Sequence, residues 1–171
     1  MSERLPVLID PKALAQRKAN FAGNLAVNRM ERLSTLLVQP FTEVNVEIDF
    51  SSEGQRSYLQ GNISGDLFLE CQRCLEPLKL RIDHQIHLGI VETESEISEI
   101  QGTGEPLLVD GNPVKLIEII EDELLLLLPM YAMHDLGKCS NNLTKKLTEP
   151  NIKDYTKKKN PFDVLSRMKT K

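Results

Sequence analysis

The sequence predicts an α+β domain: an antiparallel β-sheet, open or barrel-like, with two helices before it, one long helix after it and a short helix at the C-terminus. Three observations carry that expectation. Apolar and polar residues alternate along Val44–Phe50 and again along Leu78–Ile90, the period of half-buried strands. Connections between the strand-like runs are short, which favours antiparallel hairpins over crossovers. Leu116–Leu128 instead repeats its apolar residues at helical spacing and runs into Pro129. A chain of 171 residues with 40% apolar content suits one domain with a tail, and 5% aromatics without tryptophan make its core mostly aliphatic.

Taken in order, Leu5–Ile9 is short and extended. Asp10-Pro11 reads as an N-cap with proline at the first helical position, opening a helix to about Asn20 with Lys12, Arg17 and Lys18 facing solvent. Phe21–Val27 is a strand or connector. Asn28 caps a second helix, whose Met30, Leu33 and Leu37 share one face before Pro40 stops it. Next, Val44, Val46, Ile48 and Phe50 alternate with Asn45, Glu47 and Asp49. A polar turn at Ser51–Gln55 leads to Tyr58–Ile63, and Gly65-Asp66 separates that run from Leu67–Cys71. After a bend at Cys71–Cys74, a long strand alternates through Leu78, Leu80, Ile82, His84, Ile86, Leu88 and Ile90. His84 falls on the apolar phase and reads as a core-edge histidine, whereas His87 falls on the exposed one.

Glu92–Pro106 shows no clear period and carries Gly102 and Gly104, so it reads as a mobile acidic loop. Asp110-Gly111-Asn112-Pro113 marks the start of the long helix. Leu116, Ile119, Ile120, Leu124, Leu127 and Leu128 form its buried face, and Glu118, Glu121, Asp122 and Glu123 a solvated one. No second carboxylate cluster or phosphate-cradling loop accompanies those acids, so neither acid–base chemistry nor a hard-metal site is expected. Residues 1–139 thus make the domain, 140–160 a basic flexible linker, and 161–171 a short helix opened by Asn160-Pro161. Its Phe162, Leu165 and Met168 repeat at three-residue spacing. A helix this short is unstable alone in water, so these three side chains must dock on the domain or on a partner.

The net charge of −4 conceals two basic ends around an acidic middle. Ten acidic residues lie between Glu92 and Glu123 against Lys115, and ten basic ones between Lys138 and Lys171 against Glu149, Asp154 and Asp163. Charge runs keep surfaces solvated, but the basic tail is also dense enough to neutralise phosphates. No apolar run is long enough to span a bilayer. Met1–Pro6 lacks the basic head and apolar stretch of a signal peptide. Three cysteines do not make a secreted disulfide framework and fit a reducing compartment, so the chain reads as cytoplasmic without a membrane partner.

Cys71-Gln72-Arg73-Cys74 spaces two thiols so that both turn toward one point from a tight bend. That spacing alone also serves redox chemistry or plain core packing. His134-Asp135-Leu136-Gly137-Lys138-Cys139, after the long helix, adds an imidazole and a third thiol. Cys71, Cys74, His134 and Cys139 together suit a closed structural zinc site, with packing of reduced cysteines as the alternative. A thiol enzyme would cycle Cys71 and Cys74, or set a cysteine beside His134 and Asp135. Against it, the bend precedes a strand, so no helix dipole lowers a thiol pKa.

Cys71–Pro77, the acidic-then-leucine helix running into Pro129, His134–Cys139 and the closing Asn160-Pro161-Phe162 helix together resemble the YceD-like family. Its members are bacterial proteins, with plastid relatives, named for large ribosomal RNA subunit accumulation. The resemblance runs in order over nearly the whole chain and is weakest over Glu92–Glu105. It implies a role in the processing, stability or assembly of 23S ribosomal RNA, without established catalysis. The chain then reads as a zinc-stabilised, non-enzymatic ribosome biogenesis factor that binds 23S rRNA or a large-subunit precursor, and not DNA. Lys145, Lys146, Lys153, Lys157, Lys158, Lys159, Arg167, Lys169 and Lys171 would contact phosphates. Arg73, between the thiols, would contact phosphate or offset thiolate charge. Tyr155 and Phe162 are the only aromatics of the tail, so stacking is limited and binding should be salt-sensitive with little sequence preference. An adaptor gripping basic ribosomal proteins or assembly factors, through the acidic stretch and the Phe162 helix, is the second reading.

Overall fold

The computed structural model describes residues 5–100 and 104–139. Strand β1 (Leu8–Ile9) leads into helix α1 (Pro11–Arg17), where the Asp10 carboxylate accepts the Ala13 N–H at 3.0 Å as its N-cap. The helix stops before the expected Asn20. Lys18 turns left-handed at φ 50°, and its N–H closes on the carbonyls of Ala15 and Leu14. Asn20 already belongs to β2 (Asn20–Ala26), held by pairing with the next strand.

The second helix is far shorter than its apolar face suggests. A 3-10 turn at Val27–Arg29 precedes a single α-turn, α2 (Glu31–Ser34), with Met30 rather than Asn28 at its cap. Met30, Leu33 and Leu37 are nevertheless all buried, so the pattern reported burial without reporting length. Strands β3 (Glu43–Glu53), β4 (Arg56–Glu70) and β5 (Pro77–Val91) follow as two antiparallel hairpins. The break expected at Gly65-Asp66 does not exist, because β4 is continuous and both residues are paired. Gly61 explains why that strand tolerates glycine: a Cβ there would run into the Glu47 carbonyl oxygen and Ile48 Cα of β3. Gly61→Ala is therefore expected to cost about 2 kcal/mol by prising β3 from β4, read as a lowered urea midpoint. An unchanged midpoint would show that the pair spreads freely.

The acidic segment after β5 is a further correction. It holds helix α3 (Glu94–Ile100) and strand β6 (Glu105–Leu108), which pairs parallel to β5. Glu96 folds back over the start of α3, accepting the Glu92 N–H at 3.0 Å and the Thr93 hydroxyl at 3.1 Å. Strand β7 (Val114–Lys115) then pairs with β1, and helix α4 (Leu116–Leu127) begins only after it.

The main sheet runs in the order β2-β3-β4-β5-β6 and stays open, so no barrel closes. Its inner face, from Val44, Val46, Ile48, Phe50, Leu59, Ile63, Leu67, Ile82 and Ile86, forms one core with Ala15 of α1, Met30, Leu33 of α2 and Leu116, Ile120, Leu124 of α4. The other face is mostly polar; Ile100 of α3 lies against Gly89 there, and Phe68 lies on it opposite Lys79. Glu121 and Glu123, expected on a solvated face of α4, are instead buried at 4% and 8% exposure. Glu121 reaches the start of α2, while Glu123 meets His84 at 3.3 Å, which leaves that histidine half-buried at the core edge. Burial pushes the Glu123 carboxyl up. The linker expected at 140–160 and the helix expected at 161–171 lie outside the described residues.

Candidate metal centre

Between Glu70 and Pro77, which still pair across the β4–β5 hairpin, the chain reverses in a tight bend. The Leu75 N–H donates to the Cys71 carbonyl at 2.8 Å, and the Cys71 N–H to the Glu76 carbonyl at 3.0 Å. Leu75 takes φ 61°, a left-handed conformation that costs a non-glycine residue about 1 kcal/mol. Its side chain points outward, while the Cys71 and Cys74 side chains are buried.

Beyond α4, Pro129 prevents further helix and the chain passes along the bend. The Gln72 N–H donates to the Ala132 carbonyl at 2.9 Å, and the His134 N–H to Cys71 Sγ at 3.4 Å. Arg73 donates through Nη2 to the carbonyl oxygens of His134 and Asp135. The guanidinium thereby clasps the post-helical segment to the bend, and its charge also favours the Cys139 thiolate, the charge-offsetting role expected of it. Past His134 the chain turns again. Gly137 at φ 83°, a Lys138–Asp135 ion pair at 2.7 Å and the Lys138 N–H on the Asp135 carbonyl return Cys139 toward the thiols.

The ligand atoms of Cys71, Cys74, His134 and Cys139 all lie within 4.8 Å of one another. Tetrahedral coordination with sulfur at about 2.3 Å and nitrogen at about 2.0 Å would set neighbouring donors roughly 3.5–3.8 Å apart. Cys74 Sγ stands 3.4 Å from His134 Nδ1. The opposite ring nitrogen, Nε2, is 3.2 Å from the Pro77 carbonyl. A carbonyl oxygen only accepts, so in neutral imidazole Nε2 carries the proton and Nδ1 turns its lone pair toward the sulfurs. An outer partner that fixes the tautomer of a ligand in this way is a usual part of a metal site.

The electrostatics favour a cation as well. Burial pushes the Cys71 thiol up, but the N–H groups of His134, Arg73 and Cys74 aimed at its sulfur outweigh that and bring it from 9.0 to about 5. Cys139 moves the other way, raised by burial and by the neighbouring Cys74 and Cys71 side chains. One thiolate forms readily while the next resists, and a central cation is what allows several thiolates to share a site. The donor set fits a closed structural metal site.

These positions also bear on thiol chemistry. The bend does precede a strand, yet three backbone N–H groups lower the Cys71 thiol without any helix dipole. Cys71 is fully buried and Cys74 is 2% exposed, so low pKa and access do not coincide, as a nucleophile requires. The acceptors of the His134 ring and of Arg73 are all backbone carbonyls, so no residue type in the sequence signals either contact.

Residues 140–171 hold nine basic and three acidic side chains, so within the net charge of −4 the first 139 residues carry −10. On the outer sheet face Glu43, Glu47, Asp49, Asp66 and Asp83 outnumber Lys79 and Arg81. The candidate phosphate contacts Lys145, Lys146, Lys153, Lys157, Lys158, Lys159, Arg167, Lys169 and Lys171 lie outside the described residues, as do Phe162, Leu165 and Met168.

No solved structure matches the chain. It is 31% identical over 170 residues to a protein of Haemophilus influenzae named large ribosomal RNA subunit accumulation protein YceD, covering 98% of each chain. Residues 59–169, from near the start of β4 through the bend and α4 nearly to the C-terminus, match the family described as large ribosomal RNA subunit accumulation protein YceD. The chain belongs to that family.

Proposed function

We propose that this chain is a non-enzymatic, cytoplasmic factor for accumulation of the large-subunit ribosomal RNA, built as a zinc-stabilised domain that presents a cationic tail to 23S rRNA or its precursor particle. The observation that carries this reading is the convergence of four donors within 4.8 Å, inside the stretch that matches the family. Three thiolates and one imidazole form a usual zinc set, and zinc bound there would tie the β4–β5 bend to the segment after α4. The domain then acts as a rigid mount. Its charge of −10, against the excess of basic side chains in residues 140–171, supports giving the phosphate contacts to the tail. No described helix is long and apolar enough to cross a membrane.

Sedimentation of cell extract tests the reading directly, with the protein expected to travel with large-subunit precursors. Purified chain should bind RNA with affinity that falls as salt rises, by about 0.7 in log–log slope for each single-strand phosphate neutralised. Replacing Lys157, Lys158 and Lys159 by alanine should reduce that slope by up to ~2. Affinity that stays flat from low to high salt would remove phosphate contact from the account. The acidic outer face favours a second reading, an adaptor for basic ribosomal proteins or assembly factors. Crosslinking in cells, scored for RNA against protein, separates the two.

A further inference from the structure

We propose that the apolar side chains exposed around the Cys71–Cys74 bend seat this chain's own C-terminal segment, anchored by Phe162, Leu165 and Met168. The bend presents Leu75 at 64% exposure, and the segment clasped beside it presents Met130 at 86%, Tyr131 at 67% and Leu136 at 92%. Val38 and Phe41 extend the surface at the same end of the sheet, where the Val38 N–H donates to the Phe68 carbonyl at 2.8 Å; Phe41 is 87% exposed. A monomer seldom leaves this much large apolar surface together without something to cover it.

Three features select the occupant. The described chain ends at Cys139, three residues from Leu136, and 22 residues separate Cys139 from Phe162. A random-coil chain of that length would span about 26 Å on average, beyond the ~14 Å radius of gyration of a compact domain of this size, so the tether is long enough to reach. Tethering makes docking intramolecular, at an effective concentration no free peptide would match. Charge completes the match: exposed Glu70 and Glu76 flank Leu75, and Lys157, Lys158, Lys159, Arg167, Lys169 and Lys171 flank the three anchors. Finally, a short segment with apolar residues at three-residue spacing gains its helix only against a surface.

The chain has no tryptophan, so Phe162→Trp in the full-length protein supplies a single fluorescent reporter. The expected result is blue-shifted emission and severalfold weaker acrylamide quenching than for a free indole, both unchanged on dilution. Adding Phe41→Ser or Tyr131→Ser, at exposed positions that leave the core intact, should shift emission back toward that of exposed indole while unfolding stays cooperative and the melting temperature falls by no more than loss of the docked segment allows. An indole exposed in the isolated chain would overturn the proposal and leave the segment for a separate partner. Shielding lost on dilution would overturn it in favour of a second copy of the chain. Shielding that survives both surface changes would place the segment elsewhere. The measurement uses no RNA, so it is decided independently of the proposed RNA contact.

Discussion

Cys71→Ser is expected to abolish stoichiometric zinc binding and to destabilise the protein by about 3–5 kcal/mol. Cys71 is the most committed of the four donors: it is fully buried, and three N–H groups stabilise its thiolate. A serine hydroxyl is a poor zinc ligand and would leave those donors and the remaining thiols around an incomplete site. The sheet has its own core, so the loss should centre on the bend and residues 129–139, whose anchoring bonds run to Cys71, Gln72 and Arg73. Cys139→Ser should cost less, because Cys139 is half-buried and water can take the vacated fourth position. Elemental analysis of protein purified without added metal, with unfolding measured before and after chelation, checks both. Only traces of zinc, together with unfolding indifferent to chelator, would leave the four side chains as ordinary packing.

Glu121→Ala carries the second large effect, a loss of about 3 kcal/mol. One Glu121 oxygen accepts the N–H groups of Arg32 and Leu33 at 2.7 and 2.9 Å, and the other accepts from the Arg32 guanidinium at 3.2 and 3.3 Å. A carboxylate from α4 thus caps α2, which has no capping side chain of its own. Leu33 is fully buried, so water cannot easily replace the lost acceptor. Glu121→Gln keeps an acceptor oxygen and should cost roughly half as much.

The same residue sets a pH dependence. Burial pushes the Glu121 carboxyl up, but the N–H bonds from Leu33 and Arg32, then the guanidinium, bring it below its ordinary 4.5. Its contribution is therefore complete above the unfolded pKa and fades as pH falls through the lower folded one. Glu123, raised by burial, acts in the opposite sense, favouring the folded state below its unfolded pKa and less so as pH rises through the folded value. Comparing urea midpoints of Glu121→Gln and the parent from about pH 3 to 7 isolates the first effect: the gap should narrow toward acid. Equal midpoints throughout would mean that α2 needs no carboxylate.

Strands β3 and β5 can be read directly from the sequence because alternation records which side of a strand meets the core, a property local to each residue. The face of α4 through Leu116, Ile120 and Leu124 is legible for the same reason. Period is silent on where an element stops, so Met30, Leu33 and Leu37 declared burial while α2 proved to be one turn. It is equally silent on pairing between remote segments, which is why a stretch without period holds α3 and the parallel strand β6.

By itself the sequence determined the sheet's alternation, the core-facing side of α4 and the identity of the four donor side chains, since residue type and spacing carry all of these. Only the tertiary structure decided that Pro77 orients His134, that Arg73 clasps the segment after α4, and that Glu121 and Glu123 turn inward. Each of those outcomes depends on a group brought from far along the chain. Local hydropathy gives two glutamates on one helix the same solvent-facing reading until a histidine and a capless helix arrive beside them.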